Sequence, residues 1–273
     1  MKNKISTNLI GPSVINGFHN FGLCNQLFQI ATVVSYAHDN NFDAVFPMLN
    51  DTNHYGNYRE NIFRNLNIND SMPENHGIYV EPRFAYTPIP VAPTSFIIKD
   101  SYCQSEKYFK HNRQLILDTF GPRDEDLEYI EKKYGDVLKE NTVSCHIRRG
   151  DFTTLHESHP CLYDTGYYDN ALNEIDHSVM VVFSDDIEWC ESFFANRDAI
   201  FVREEDYLDL YIMSMCKHNI IANSTFSWWG AWFNQNPDKK VTAPLSWFGN
   251  DKPHGGRGGH SEDDLIPENW VRL

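Results

Sequence analysis

TVSCHIRRGDF, residues 142–152, joins two signals of opposite kind. Val143, Cys145 and Ile147 alternate with polar residues in the period of a strand, which then runs straight into two arginines, a glycine and an aspartate. Downstream the chain keeps a regular beat. GYYDNALNEI (166–175) has helical periodicity, and SVMVVFS (178–184) reads as a fully buried strand. Helix 186–195, strand 199–203, helix 206–216, strand 219–223, helix 225–235 and strand 239–245 continue the alternation. Such a pattern predicts a parallel sheet with helices on both faces.

Three polar clusters fall at the carboxyl ends of predicted strands: HIRRGD after 142–147, SDD at 184–186, and NSTFS at 223–227. Open parallel sheets bind ligands in the crevice beyond those ends, so the three are expected to meet in one cleft. A guanidinium is permanently charged and presents a planar fork of donors that fits phosphate oxygens. Arg148 is therefore read as a diphosphate ligand, and Arg149, pointing the other way, as a brace for the loop. An ion pair with Asp151 is the structural alternative for either arginine. Asp185 is the better ligand candidate of its pair, because Asp186 is placed to cap a helix beginning at Ile187. Asn223, Ser224, Thr225 and Ser227 offer amides and hydroxyls at a helix start, which suits an anion and equally allows plain capping by Ser224 or Thr225. His146 shares a strand face with Arg148 and points the same way. Trp228, Trp229 and Trp232 read as core. His156, His159 and His177 show no ligand spacing and read as surface residues.

The N-terminal half is less regular. GFHNFGLCNQLFQIATVVSYAHDN carries a glycine-bearing turn and then a helix with Leu27, Ile30, Val34 and Ala37 at helical spacing. FDAVFP (42–47) reads as a strand, the proline-rich segment 70–95 as irregular, and 123–140 as a charged amphipathic helix between the halves. Glycine-rich GNDKPHGGRGGH (249–260) reads as a mobile loop. The 273 residues suffice for two compact lobes, divided at 140/141, and the formal net charge of −15 excludes nucleic acid and anionic membrane as natural partners. Any bound anion needs a local basic site, which returns attention to Arg148. Six cysteines without a CxxC pair argue against a disulfide framework or a zinc site. The opening residues lack a signal-peptide core and no apolar run approaches membrane-spanning length, which reads as cytoplasmic, with peripheral attachment at the inner membrane face left open.

These motifs together resemble glycosyltransferase family 11, the α-1,2-fucosyltransferases. GLCNQLFQIA (22–31) is similar to that family's glycine-rich GNQ segment, HIRRGDF (146–152) to its HxRRGD motif, FSDDIEWC (183–190) to its FSDD-x-x-W motif, and HNIIANSTFSWWGAW (218–232) to its third motif. YYDNAL (167–172) and the closing DLIPENWVRL also fit, so the resemblance spans 22–273. It implies an α/β, GT-B-like fold of two Rossmann-like lobes with parallel sheets. Residues 1–140 would form the acceptor-side lobe with a donor-contacting loop at 20–26, and 141–273 the nucleotide-binding lobe. It further implies GDP-β-L-fucose as donor and no metal. The expected reaction is inverting transfer to the 2-hydroxyl of a terminal galactosyl or related residue of a glycan, with a lipid-linked acceptor left open. Carried over by position, Arg148 contacts the β-phosphate, His146 and Asp185 bear on the guanosine, and Gly22, Asn25, Ser224 and Ser227 line the diphosphate, with Asn223 and Thr225 beside them. Asp151 is the nearest carboxylate in sequence for a general base. The family usually has glycine where this chain has Cys24, and glycine there permits positive φ and close backbone approach to phosphate. Other readings stay open: a catalytically impaired GDP- or fucoside-binding protein, a fucosyltransferase of different linkage, a metal-dependent transferase using Asp185 and Asp186, and a protein O-fucosyltransferase.

Overall fold

The computed structural model describes residues 2–9, 22–51, 56–155, 157–249 and 262–273. Two units divide the chain between Gly121 and Pro122, with the segment up to Pro267 returning to the first unit and Glu268–Leu273 to the second.

In the first unit β1 (Lys4–Thr7), β2 (Asp43–Ala44), β3 (Gly77–Tyr79) and β4 (Phe96–Ile98) form a parallel sheet in the order β2-β1-β4-β3. Helix α1 (Leu23–Asn40) packs against it through Leu27, Ile30, Ala31 and other fully buried residues. It stops at Asn41, whose left-handed backbone (φ 58°) closes the last turn through its N–H to Ala37 O. Helix α2 (Arg113–Phe120) follows. Strand β3 lies inside the segment read as irregular, and the strand expected over 42–47 shrinks to two residues. Three-residue strands in a proline-rich context offer too few alternations to register as a period. A carboxylate organises the turn after β4: Glu81, buried, accepts the N–H groups of Tyr102 (3.1 Å) and Cys103 (3.2 Å) and the hydroxyl of Tyr108 (2.8 Å).

The second unit opens with α3 (Asp124–Leu138), ahead of the expected division at 140/141. Strands β5 (Thr142–Ile147), β6 (Val179–Ser184), β7 (Ala199–Phe201), β8 (His218–Ile220), β9 (Val241–Ala243) and β10 (Val271–Arg272) alternate with α4 (Tyr167–Glu174), α5 (Ile187–Phe193), α6 (Asp206–Met215) and α7 (Thr225–Phe233). All pairings are parallel, in the order β10-β9-β8-β5-β6-β7. Counting from β5, that is the 3-2-1-4-5-6 arrangement of a doubly wound sheet, with its switch point between β5 and β8. The α/β class with parallel sheets read from the sequence is the class observed.

Strand β5 is buried on both faces. Val143, Cys145 and Ile147 join the apolar cluster formed with Tyr167, Tyr168, Ala171 and Leu172 of α4. The other face is polar, and each side chain on it is hydrogen-bonded. Thr142 Oγ1 accepts Lys217 N–H (3.0 Å), Ser144 Oγ accepts Asn219 Nδ2 (2.7 Å), and His146 Nδ1 meets Ser227 Oγ (2.9 Å). The alternation that reads as half-exposed is thus a strand beneath a helix. Helix α7 is apolar all round because it is buried, with Trp228 and Trp229 fully enclosed. The three tryptophans are core, as read. His159 is half-buried, its ring 4.6 Å from that of Phe152 and 5.9 Å from that of Phe248. His156 and most of the glycine-rich tract lie outside the described residues. All six cysteines are free thiols.

The loop entering α6 is fastened to α3 by Glu204, which accepts the hydroxyls of Tyr129 (2.9 Å) and Tyr134 (2.6 Å) and pairs with Lys133. Glu204 N–H in turn donates to Asp209 Oδ1 (3.3 Å). Burial raises the Asp209 pKa from its ordinary 3.8 to about 7, with Glu204 and Asp206 adding to the rise and the Glu204 N–H opposing it. Folded protein therefore holds a proton that unfolded protein releases across that window, and stability falls as pH rises through it. Asp209→Asn is expected to raise Tm at pH 8 and to give no gain near pH 4, measured by thermal melts across that range.

Candidate active site

The loop after β5 is folded around two arginines, paired with Asp185 and Asp186 from the loop after β6 and, for Arg148, with Asp151 of its own loop. Arg148 uses both terminal nitrogens: Nη2 pairs with Asp151 Oδ1 and Nη1 with Asp185 Oδ2, each at 2.7 Å. Its guanidinium lies 5.6 Å from the centre of the Phe152 ring. Arg149 turns the other way. Its Nε donates to Asp186 Oδ2 (2.9 Å), and its guanidinium sits over Trp189 (4.0 Å) and Tyr163 (4.8 Å). Stacked and ion-paired, Arg149 braces the loop while Arg148 remains about one-third exposed.

Asp185 and Asp186 divide the work between the arginines. Asp185 Oδ1 accepts the Arg149 backbone N–H (2.9 Å) while its other oxygen holds Arg148. Asp186 caps α5 by accepting Trp189 N–H (3.3 Å), and the hydrogen bond from Arg149 leads the causes that lower its pKa. Pointed at separate arginines, the two carboxylates do not converge. Among the described residues no three His, Cys, Asp or Glu side chains cluster as a metal site would require. The local charge is two arginines against three carboxylates, −1 in sum.

His146 closes the polar face of β5. Its side chain is buried, its ring lies 5.4 Å from that of Phe226, and its carbonyl accepts the Tyr168 hydroxyl (3.0 Å). Burial drives its pKa down to about 3, with Asp185 opposing and Arg148 adding to the fall, so the ring is neutral at physiological pH. Ser227 Oγ accepts Ala222 N–H (3.1 Å), faces Ser224 O (3.3 Å) and meets His146 Nδ1 (2.9 Å). One hydroxyl hydrogen and two lone pairs satisfy all three contacts only if Nδ1 carries the proton, which makes Nε2 the acceptor. Ser224 caps α7 through Phe226 N–H (3.4 Å), and Thr225 is the first residue of that helix. Asn223 spends both amide hydrogens on Pro160 O and Trp247 O (3.2 Å each), tying the loop after β5 to the loop after β9. Its side-chain amide has no hydrogen left to donate to a ligand.

Gly22 and Asn25 belong to the first unit. Gly22 precedes α1 with φ −50°, and Asn25 Oδ1 accepts Gln104 Nε2 (2.9 Å). Cys24 is the second residue of α1 and is buried in right-handed helix, so this position calls for no positive φ and cysteine fits it without strain.

Sequence reasoning missed the supports: Phe152 under Arg148, Trp189 and Tyr163 around Arg149, and above all Gly150. A Cβ on Gly150 would lie inside van der Waals contact of Asp185 Oδ2. Gly150, Phe152 and Trp189 lie within the motifs HIRRGDF and FSDDIEWC, but chain order alone does not give their packing roles.

A family model for glycosyl transferase family 11 matches residues 20–254. The chain belongs to glycosyl transferase family 11. Among relatives, the O-antigen biosynthesis glycosyltransferase WbnK of Escherichia coli is 37% identical over 197 residues, 64% of this chain and 62% of its own length. An Escherichia coli alpha-1,2-colitosyltransferase is 36% identical over 189 residues, 63% of this chain and 61% of its own length. The chain thus spans less than two thirds of the length of these curated relatives. In fold this family 11 chain is similar to the NodZ alpha-1,6-fucosyltransferase co-crystallised with GDP, at TM-score 0.54, 12% identity, and coverage of 85% and 92% of the two chains. A further structure of NodZ, from Bradyrhizobium, aligns at TM-score 0.54 and 12% identity over 84% and 92%. No helix of the described residues is long and apolar enough to cross a membrane.

Gly150→Ala is expected to destabilise the second unit by roughly 1–3 kcal/mol through overpacking against Asp185. On an Asp185→Ala background the same change should cost almost nothing, and a double-mutant cycle in urea measures the difference.

Proposed function

We propose that this chain transfers L-fucose from GDP-β-L-fucose to the 2-hydroxyl of a terminal galactosyl residue of a glycan, with inversion and without a divalent cation. Membership of glycosyl transferase family 11 supports the reaction class. The observation that carries the mechanism is Arg148, a partly exposed guanidinium at the end of β5 beside the sheet's switch point. The acceptor oxygen attacks the anomeric carbon from the face opposite the leaving group. The bond from that carbon to the β-phosphate oxygen breaks, and GDP departs with the electron pair. Negative charge grows on the diphosphate, so a fixed cation aimed there stabilises the transition state more than the ground state. The α7 N-terminus, with Ser224 and Thr225, adds backbone dipoles of the right sign. His146 Nε2, an acceptor by its tautomer, and Asp185 serve the guanosine, and Ser227 holds His146 in that tautomer. Asn223 acts by fixing the loops. Gly22 and Asn25 are assigned to the diphosphate from the first unit's side of the sequence. Asp151 receives the acceptor's proton. The second unit is the nucleotide-binding one in this reading, and the acceptor belongs to the first.

The 36% identity to an alpha-1,2-colitosyltransferase favours one second reading, a colitosyl donor in place of a fucosyl one. Incubation with GDP-fucose and a galactose-terminated acceptor, with the product linkage read by NMR, tests the proposal. An α-1,2-fucosyl product with release of GDP is expected. Transfer to another hydroxyl would correct the linkage, and turnover with the colitose nucleotide alone would select the second reading. Arg148→Ala should lower kcat about 10²-fold or more; near-normal turnover would remove it from the mechanism. Asp151→Asn should lower kcat about 10²-fold or more, and near-normal turnover would assign the base elsewhere.

A further inference from the structure

We propose that Asp151 is an exchangeable counter-ion of Arg148, displaced when the diphosphate binds, whereas Asp185 stays in place as its permanent partner. The inference rests on the reading of Arg148 as the diphosphate ligand. Both carboxylates hold the guanidinium at 2.7 Å, but they are held very differently themselves. Asp185 is fixed from two further sides: its Oδ1 accepts the Arg149 backbone N–H at 2.9 Å, and its Oδ2 lies against the Cα of Gly150, where a side chain would collide with it. Among the described residues the Asp151 carboxylate has the Arg148 pair as its one hydrogen bond, and it is the more exposed of the two, 36% against 26%. Breaking a pair so exposed costs little.

Geometry and charge point to the same residue. A guanidinium grips an anion bidentately through Nη1 and Nη2 or through Nε and Nη2, so Nη2 belongs to both forks. Asp151 sits on Nη2. The five charged side chains of the loop sum to −1, and a diphosphate entering beside both carboxylates would meet net repulsion. Release of Asp151 removes one negative charge from contact and frees Nη2, which opens the Nε–Nη2 fork while Asp185 keeps Nη1. It also frees the carboxylate that the proposed mechanism uses as base, so the proton acceptor would become available only once the nucleotide is seated.

Calorimetric titration of the full chain with GDP and, separately, with guanosine tests the exchange. Asp151→Asn and Asp151→Ser should each bind GDP about threefold to tenfold more tightly than wild type, the size of one like charge removed at close range in a partly exposed site. Guanosine, which carries no phosphate, should bind all three proteins alike, a distinction that a merely structural role for Asp151 would not produce. Equal or weaker GDP binding by both folded variants would overturn the exchange. Equal GDP binding by wild type and Arg148→Ala would instead overturn the reading of Arg148 on which it rests.

Discussion

The guanidinium of Arg148, shared between Asp151 and Asp185, is the interaction on which the account of the second unit depends. Ion pairs this exposed contribute little to stability, roughly 0–1 kcal/mol each, so they are not there to hold the fold. Their effect is orientation. Asp185 reaches from the end of β6 to fix both the Arg148 side chain and the Arg149 backbone, and the missing side chain at Gly150 gives it room. Arg149, stacked on Trp189 and paired with Asp186, holds the same loop from its other side. An acidic chain of formal charge −15 thereby keeps one partly exposed cation in a fixed place at the end of β5.

That loop can be rigid because the strand beneath it is rigid. Strand β5 is enclosed on both faces, and its polar face is satisfied residue by residue by β8, by the Lys217 backbone and by α7. Loss of one such buried partner costs about 1–3 kcal/mol, because the group left behind can reach neither water nor protein. Burial also fixes the charge of His146. A neutral ring with its proton on Nδ1 keeps one hydrogen-bonding character over the whole physiological pH range, which suits recognition rather than proton transfer.

The second unit was legible in the sequence because its elements alternate strictly, which placed even the three-residue strands β7, β8 and β9. Strands such as 142–147 and 179–184 and helices such as 206–215 carry enough residues for a period to show. The short strands of the first unit and β10 do not, and only their pairing partners define them. The positions of the clusters at strand ends were also legible, since chain order and the parallel rule fix them. Partner choice was not. That Asp185 joins Asp151 on Arg148, that Asn223 ties two loops and that His159 meets Phe248 follow from approaches between residues tens of positions apart. Position 24 is instructive in another way. A glycine-to-cysteine difference suggests strain until the backbone proves helical, and then the cysteine is simply a core residue of α1.

The central claim is that the charge of a nucleoside diphosphate comes to rest on Arg148. A crystal structure of the chain with GDP bound tests it most directly. The account predicts a β-phosphate oxygen within hydrogen-bonding distance of Arg148 Nη2, Asp151 turned away, and Asp185 still joined to the Arg149 N–H. Phosphates bound elsewhere, with both carboxylates still on Arg148, would contradict it.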